Sequence, residues 1–152
     1  MKMAIILPVQ LFLFAFLPEH AFAQSDDLKP IVSGYSYNEK TPGIYVIKNA
    51  AEWETLWTQC LKRKEKPIDI NFSDSFIIAI FRAQCPTGEY AVKIRSLKQV
   101  NNNLVVDIVY SNPGDNCRRR MDVTKPFVIY SLQKTKLVLF FRESTETTIC
   151  NN

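Results

Sequence analysis

Hydrolysis of the Ser-His or Cys-His kind needs an imidazole as general base. The sequence holds one histidine, His20, in a stretch expected to be cleaved off. Paired carboxylates could act on a glycosidic bond instead. The candidates are Glu52, Glu54, Asp69, Asp74, Glu89 and Asp107. Glu52 and Glu54 are two apart on a predicted helix and face different ways. Asp107 falls on the polar face of a predicted strand, and a solvated surface is the expected setting for all six. The four glycines, Gly34, Gly43, Gly88 and Gly114, are isolated, which excludes GxGxxG and P-loop phosphate sites. No catalytic residue, cofactor or metal is expected, and the protein reads as a non-enzyme.

Cys60, Cys85, Cys117 and Cys150 are separated by 25, 32 and 33 residues. Zinc sites use close ligand pairs, commonly with histidine, so this spacing argues for two disulfides. Three pairings are open. Cys85 and Cys117 both fall in loops leaving strands. Cys60 lies on the buried stripe of the helix, where a returning tail carrying Cys150 could reach it. The expected bridges are Cys85–Cys117 and Cys60–Cys150. Arg118, Arg119 and Arg120 follow Cys117; a tethered loop would present them at low entropic cost to an acidic partner, and a solvated turn is the plainer reading. Trp53 and Trp57, four apart beside Leu56, Cys60 and Leu61, read as core before ligand platform. Tyr35, Tyr37 and Tyr45 fit either an exposed stripe or a cross-strand ladder.

Lys2, an apolar run over residues 3–17 and Ala21-Phe22-Ala23 make a secretory signal peptide over residues 1–23. The run is shorter than the roughly 20 residues of a spanning helix, so no stable membrane anchor is expected after cleavage. The protein is expected to be secreted or periplasmic. Removing Lys2 and Glu19 leaves the net charge at +4, too little to argue for nucleic acid. With 47% hydrophobic and 22% charged residues, the rest is an ordinary globular chain: a flexible leader over residues 24–30 and one domain over residues 31–152.

The elements that must position these residues follow from periodicity. Residues 31–37 and 44–47 read as strands. Asn49 is a helix N-cap with Glu52 three residues on, as in a capping box. Trp53, Leu56, Trp57, Cys60 and Leu61 fill one stripe; the cations after Leu61 and then Pro67 end the helix. Residues 76–81, Phe-Ile-Ile-Ala-Ile-Phe, are apolar on both faces and predict a central strand with the helix on one side. Residues 90–97 and 104–110 form a hairpin around Asn101-Asn102-Asn103. Residues 127–132 and 137–141 predict a last hairpin. The expected fold is α+β: a mostly antiparallel β-sheet of about seven short strands with one amphipathic helix packed on it.

Five motifs in order carry a resemblance: Glu52-Trp53-Glu54-Thr55-Leu56-Trp57, Asn71-Phe72-Ser73, Pro86-Thr87-Gly88-Glu89-Tyr90, Pro113-Gly114 and Thr124-Lys125-Pro126-Phe127. The set resembles the PrcB C-terminal domain family, named after an accessory subunit of a cell-surface protease complex. It spans roughly residues 43–142. The family usually has Asp-Phe where this chain has Asn71-Phe72, and two glycines where it has Gly88-Glu89. The resemblance implies a non-catalytic, extracytoplasmic protein-interaction module, an accessory partner of a protease. The expected contact residues are Pro86, Thr87, Gly88, Glu89 and Tyr90, with Arg118, Arg119 and Arg120 opposite. A disulfide-pinned protease inhibitor is the alternative, and a carboxylate hydrolase the third.

Overall fold

A computed structural model describes residues 28–38, 42–118 and 121–150. The expected signal peptide, most of the leader and Arg119 and Arg120 lie outside the described residues. Among the described residues, seven strands, β1 (Val32–Gly34), β2 (Gly43–Ile47), β3 (Ser75–Phe81), β4 (Ala91–Val100), β5 (Asn103–Pro113), β6 (Phe127–Gln133) and β7 (Val138–Thr148), accompany one helix, α1 (Ala50–Thr55). The strands form two sheets, ordered β1-β6-β3-β2 and β4-β5-β7. The α+β architecture is as expected, with its strands divided between two layers.

β3 explains the layering. Residues 76–81 are all buried, with Ile77, Ile78, Ala79 and Ile80 at 0% exposure. Phe76, Ile78 and Ile80 face the core between the sheets, beside Leu104, Val106 and Ile108. Ile77, Ala79 and Phe81 face the other way, in one cluster with Trp53 and Trp57. A strand with two apolar faces must lie inside its sheet and be covered on both sides. It pairs antiparallel with β2 and β6.

The helix starts as its sequence predicts. The Glu52 backbone N–H donates to Asn49 Oδ1 (2.9 Å), and Glu52 Oε2 accepts from the Lys48 N–H (3.0 Å). Beyond Thr55 it widens into a π-helical turn, Leu56–Cys60, in which Leu61 N–H reaches back to the Leu56 carbonyl (3.0 Å). Trp53 and Trp57 are core residues, 3% and 2% exposed. Their indole N–H groups donate to the Ile68 and Glu65 carbonyls (2.9 and 2.8 Å), so the loop after the helix satisfies them. The tyrosines divide: Tyr37 is buried, Tyr45 half-buried and Tyr35 exposed.

Two expectations are corrected. β6 and β7 are not a hairpin. β6 alternates between the two cores, Phe127 and Ile129 on the helix side and Val128, Tyr130 and Leu132 between the sheets. β7 has one apolar face, Leu139 and Phe141, and sends Val138, Phe140 and Arg142 outward. A one-faced strand suits the layer that has solvent on its far side, so the chain crosses between sheets. There β7 runs parallel to β5, from Asn103 opposite Val138 to Pro113 opposite Thr148.

That parallel run decides the cysteine pairing. It delivers the tail to the end of β5, where the Gly114 N–H donates to the Thr148 carbonyl (2.9 Å). A Cβ on Gly114 would meet that same oxygen at 2.8 Å, so the approach needs glycine. The disulfide is Cys117–Cys150, with Cα atoms 5.0 Å apart. The expected Cys85–Cys117 and Cys60–Cys150 bridges are therefore not formed, and Cys60 and Cys85 are buried thiols. Cys60 belongs to the helix side of the first sheet, across that layer from the tail. Leu28, placed in the expected flexible leader, packs against the inter-sheet core.

Closing a loop of 33 residues predicts that Cys117→Ser lowers unfolding free energy by about 2–4 kcal/mol, read by urea denaturation. Thiol titration in denaturant should count two reactive groups per chain, Cys60 and Cys85. Peptide mapping without reductant should find Cys117 and Cys150 in one fragment pair.

Candidate functional site

Arg82 follows β3 directly and organises one end of the sandwich. Its backbone N–H donates to the Pro126 carbonyl (2.9 Å), and its own carbonyl accepts from the Tyr37 hydroxyl (2.7 Å). Its guanidinium spans to the second sheet. Nη1 donates to the Ala91 and Ser111 carbonyls, both at 2.8 Å, and Nη2 to Asn112 Oδ1. Cζ lies 4.8 Å from the centre of the Tyr90 ring and 5.6 Å from that of Tyr110. Five donors in a rigid plane, flanked by aromatic faces, suit arginine and not lysine. One side chain thus joins β3, β4 and β5 at the base of the loop that carries the expected contact residues.

That loop is clasped on its other side. Cys85 and Thr124 form an antiparallel bridge with reciprocal backbone hydrogen bonds of 2.8 and 3.0 Å. The Thr124 hydroxyl also donates to the Thr87 carbonyl (3.0 Å). Burial pushes the Cys85 thiol pKa up, partly opposed by the Arg82 charge, so this cysteine is held as the neutral thiol and acts as structure. Pro86 and Glu89 are exposed, Thr87 and Tyr90 half-buried, and Gly88 buried. Glu89 adopts φ 71°, the left-handed region that glycine enters without a Cβ penalty. This is the position where the resembling family carries its second glycine. The chain keeps the backbone conformation and places a carboxylate on it.

The clasp brings the segment leading to Thr124 beside the loop. Met121 and Val123 are 88% and 63% exposed, and Tyr35, whose carbonyl accepts from the Lys125 N–H (2.8 Å), is 62% exposed. Sequence reasoning missed Met121, Val123 and Arg82, whereas Tyr35 was among the tyrosines offered as an exposed stripe or a cross-strand ladder. The available signal for Arg82 was a charge placed immediately after a doubly buried strand. Met121 and Val123 gave none, because their exposure depends on which way the loop is pinned. Of the expected arginines, Arg118 is exposed next to the Cys117–Cys150 bridge.

Four of the six carboxylates considered for catalysis, Glu52, Asp69, Asp74 and Asp107, have local partners. Glu52 caps the helix. Asp69 pairs with Lys66 (2.9 Å). Asp74 accepts from Asn71 and Ser75. Asp107 is a correction: it is 9% exposed and not solvated. It accepts from Ser96 (3.0 Å) and from both Nε and Nη2 of Arg142. These bonds hold its carboxyl below the usual range, with the Arg142 hydrogen bonds the largest cause. Burial pushes the Tyr110 hydroxyl far up, reinforced by its 2.7 Å bond to Glu143. A groove of about 800 Å³ runs between β2 and the helix; among the described residues its lining includes Tyr45, Ile47, Leu56, Lys62 and Glu52. Among the described residues no cluster of three His, Cys, Asp or Glu side chains could hold a metal.

Residues 76–133 match the family model described as PrcB C-terminal. No curated protein and no solved structure matches the chain. The matched span runs from β3 to β6. It contains Arg82, the Cys85–Thr124 clasp and three of the five motifs, while the helix motif and Asn71-Phe72-Ser73 lie before it.

Glu89→Gly should stabilise the protein by about 0.5–1 kcal/mol, since glycine relieves the left-handed strain, measured by thermal and urea unfolding. Arg82→Lys should cost roughly 2–3 kcal/mol, because it strands carbonyls on the second sheet. Asp107 has a lowered folded pKa, so its stabilisation is complete above the ordinary carboxylate value of about 4 and is lost as pH falls through the folded value. Asp107→Asn should lower stability at neutral pH and flatten the decline below about pH 4.

Proposed function

We propose, from the match of residues 76–133 to the PrcB C-terminal family model, that the protein is a non-catalytic module that binds a protease as an accessory partner, outside the cytoplasm. The observation that carries this reading is the loop at residues 85–90. It is clasped by backbone pairing to Thr124 and underpinned by Arg82, and it presents Pro86 and Glu89 near the exposed Met121 and Val123. A loop held in one shape loses little entropy on docking. Exposed apolar residues beside a charged one match the make-up of a contact patch. The disulfide and the leader pattern support export, since bridges persist in oxidising compartments. Arg118, exposed beside the Cys117–Cys150 bridge, would offer its guanidinium to acidic groups on the partner.

The same preorganisation favours a second reading, a loop that sits in a protease cleft as an inhibitor. The immobilised chain should retain a peptidase from the native exported fraction. Met121→Asp with Val123→Asp should weaken retention by about tenfold or more, as loss of central apolar contacts does, with the melting temperature unchanged. Retention with undiminished peptidase activity supports the accessory role, and suppressed activity supports the inhibitor. A peptidase held equally well by the double variant, or none held even after cross-linking, overturns the assignment.

A further inference from the structure

An edge strand offers unpaired backbone groups to any passing strand, and proteins blunt such edges by shortness, bulges, lysine or proline. The two sheets have four edges. β1 has three residues and β2 five. β4 carries Lys93, Arg95 and Lys98 and a register shift between Ile94 and Ser96. β7 is different. It runs 11 residues, Val-Leu-Phe-Phe-Arg-Glu-Ser-Thr-Glu-Thr-Thr, with no lysine and no proline, in unbroken register with β5. Its other edge pairs with no strand among the described residues. Its outward residues Val138 and Phe140 are 59% and 57% exposed.

We propose that β7 pairs antiparallel with β7 of a second copy, joining two three-stranded sheets into one of six strands. The charges select this occupant and its register. With Ser144 on the two-fold axis, Arg142 of each copy lies directly opposite Glu146 of the other, twice over. In that register Phe140 faces Thr148, Phe141 faces Thr147 and Glu143 faces Thr145, so no like charges meet. Centring the pair on Arg142 or Glu143 sets identical charges against each other, which destabilises cross-strand neighbours. Arg142 already binds Asp107 and Glu146 already binds Arg95, yet their side chains keep 61% and 41% exposure and have room for a second partner. An interface that is one surface used twice closes as a dimer and stops there.

Sedimentation velocity of the leaderless chain, with its disulfide intact, should show a monomer–dimer equilibrium that shifts toward monomer as salt is raised. Ser144→Lys would set two lysines face to face on the axis. It should raise the dimer dissociation constant about fivefold or more, whereas Ser144→Ala, which equally removes the long Ser144 hydroxyl bond to the Ile108 carbonyl (3.3 Å), should leave the dimer in place. Ser144→Cys tests the register separately. Residues directly opposite in an antiparallel pair lie within disulfide reach, so mild oxidation should link the introduced thiols into a covalent dimer. A monomer at every concentration overturns the proposal. So does a dimer indifferent to Ser144→Lys, or one whose Ser144→Cys form does not cross-link. A β7 edge that pairs only with a strand of another protein overturns it as well. The proposed docking of the loop at residues 85–90 is read by different measurements, peptidase retention and the Met121→Asp, Val123→Asp variant, so the two proposals fail independently.

Discussion

A strand without an outer face constrains this protein more than any other feature. Six consecutive buried residues in β3 represent on the order of 10 kcal/mol of gross transfer free energy. That free energy is realised only if both faces are covered. One cover is the second sheet, the other is the short helix with its two tryptophans. The two-layer sandwich, the position of the helix and the central pairing of β3 with β2 and β6 all answer that single demand. Each cover solves its own polar problem locally. The indole N–H groups reach carbonyls of the loop that follows the helix, and the Tyr130 hydroxyl, buried between sheets, accepts from the Ile94 N–H (3.2 Å).

Where β3 leaves the core, its last apolar residue is followed at once by Arg82. The side chain that ends the strand also ties the two sheets together and supports the loop at residues 85–90. Stability and the candidate contact surface are thus coupled at one residue. A loop anchored to the most buried strand is held at its base, and a surface held in one shape loses little entropy on docking. The Glu89 backbone shows the same economy. It keeps a left-handed turn that favours glycine and uses the position to present a charge.

The far sheet has a different character. Its outer face is held by a lattice of charges, Arg142 with Asp107, Arg95 with Glu146, and Glu146 again with Ser111. This lattice shields Val109, which is fully buried although its strand neighbours Asp107 and Ser111 share the outer face. A polar network can dry an apolar residue in this way when each charge is paired. Asp107, taken from the sequence as a surface carboxylate, is in fact buried in it, held by Arg142 and Ser96.

Local chemistry alone determined the helix start at Asn49, the double-faced strand over residues 76–81 and the Asn101 turn, whose φ of 54° asparagine tolerates. Those features depend on neighbours within a few residues. The sheet partner of β7 and the Cys117–Cys150 bridge were decided only in three dimensions. A four-residue connection serves equally for a hairpin or for a crossing between layers. The choice turned on how many apolar faces β6 and β7 each present, and on which face the other layer covers. Cysteine pairing followed from that crossing, because a strand running parallel to β5 ends beside Cys117, while the helix that carries Cys60 lies behind the opposite sheet.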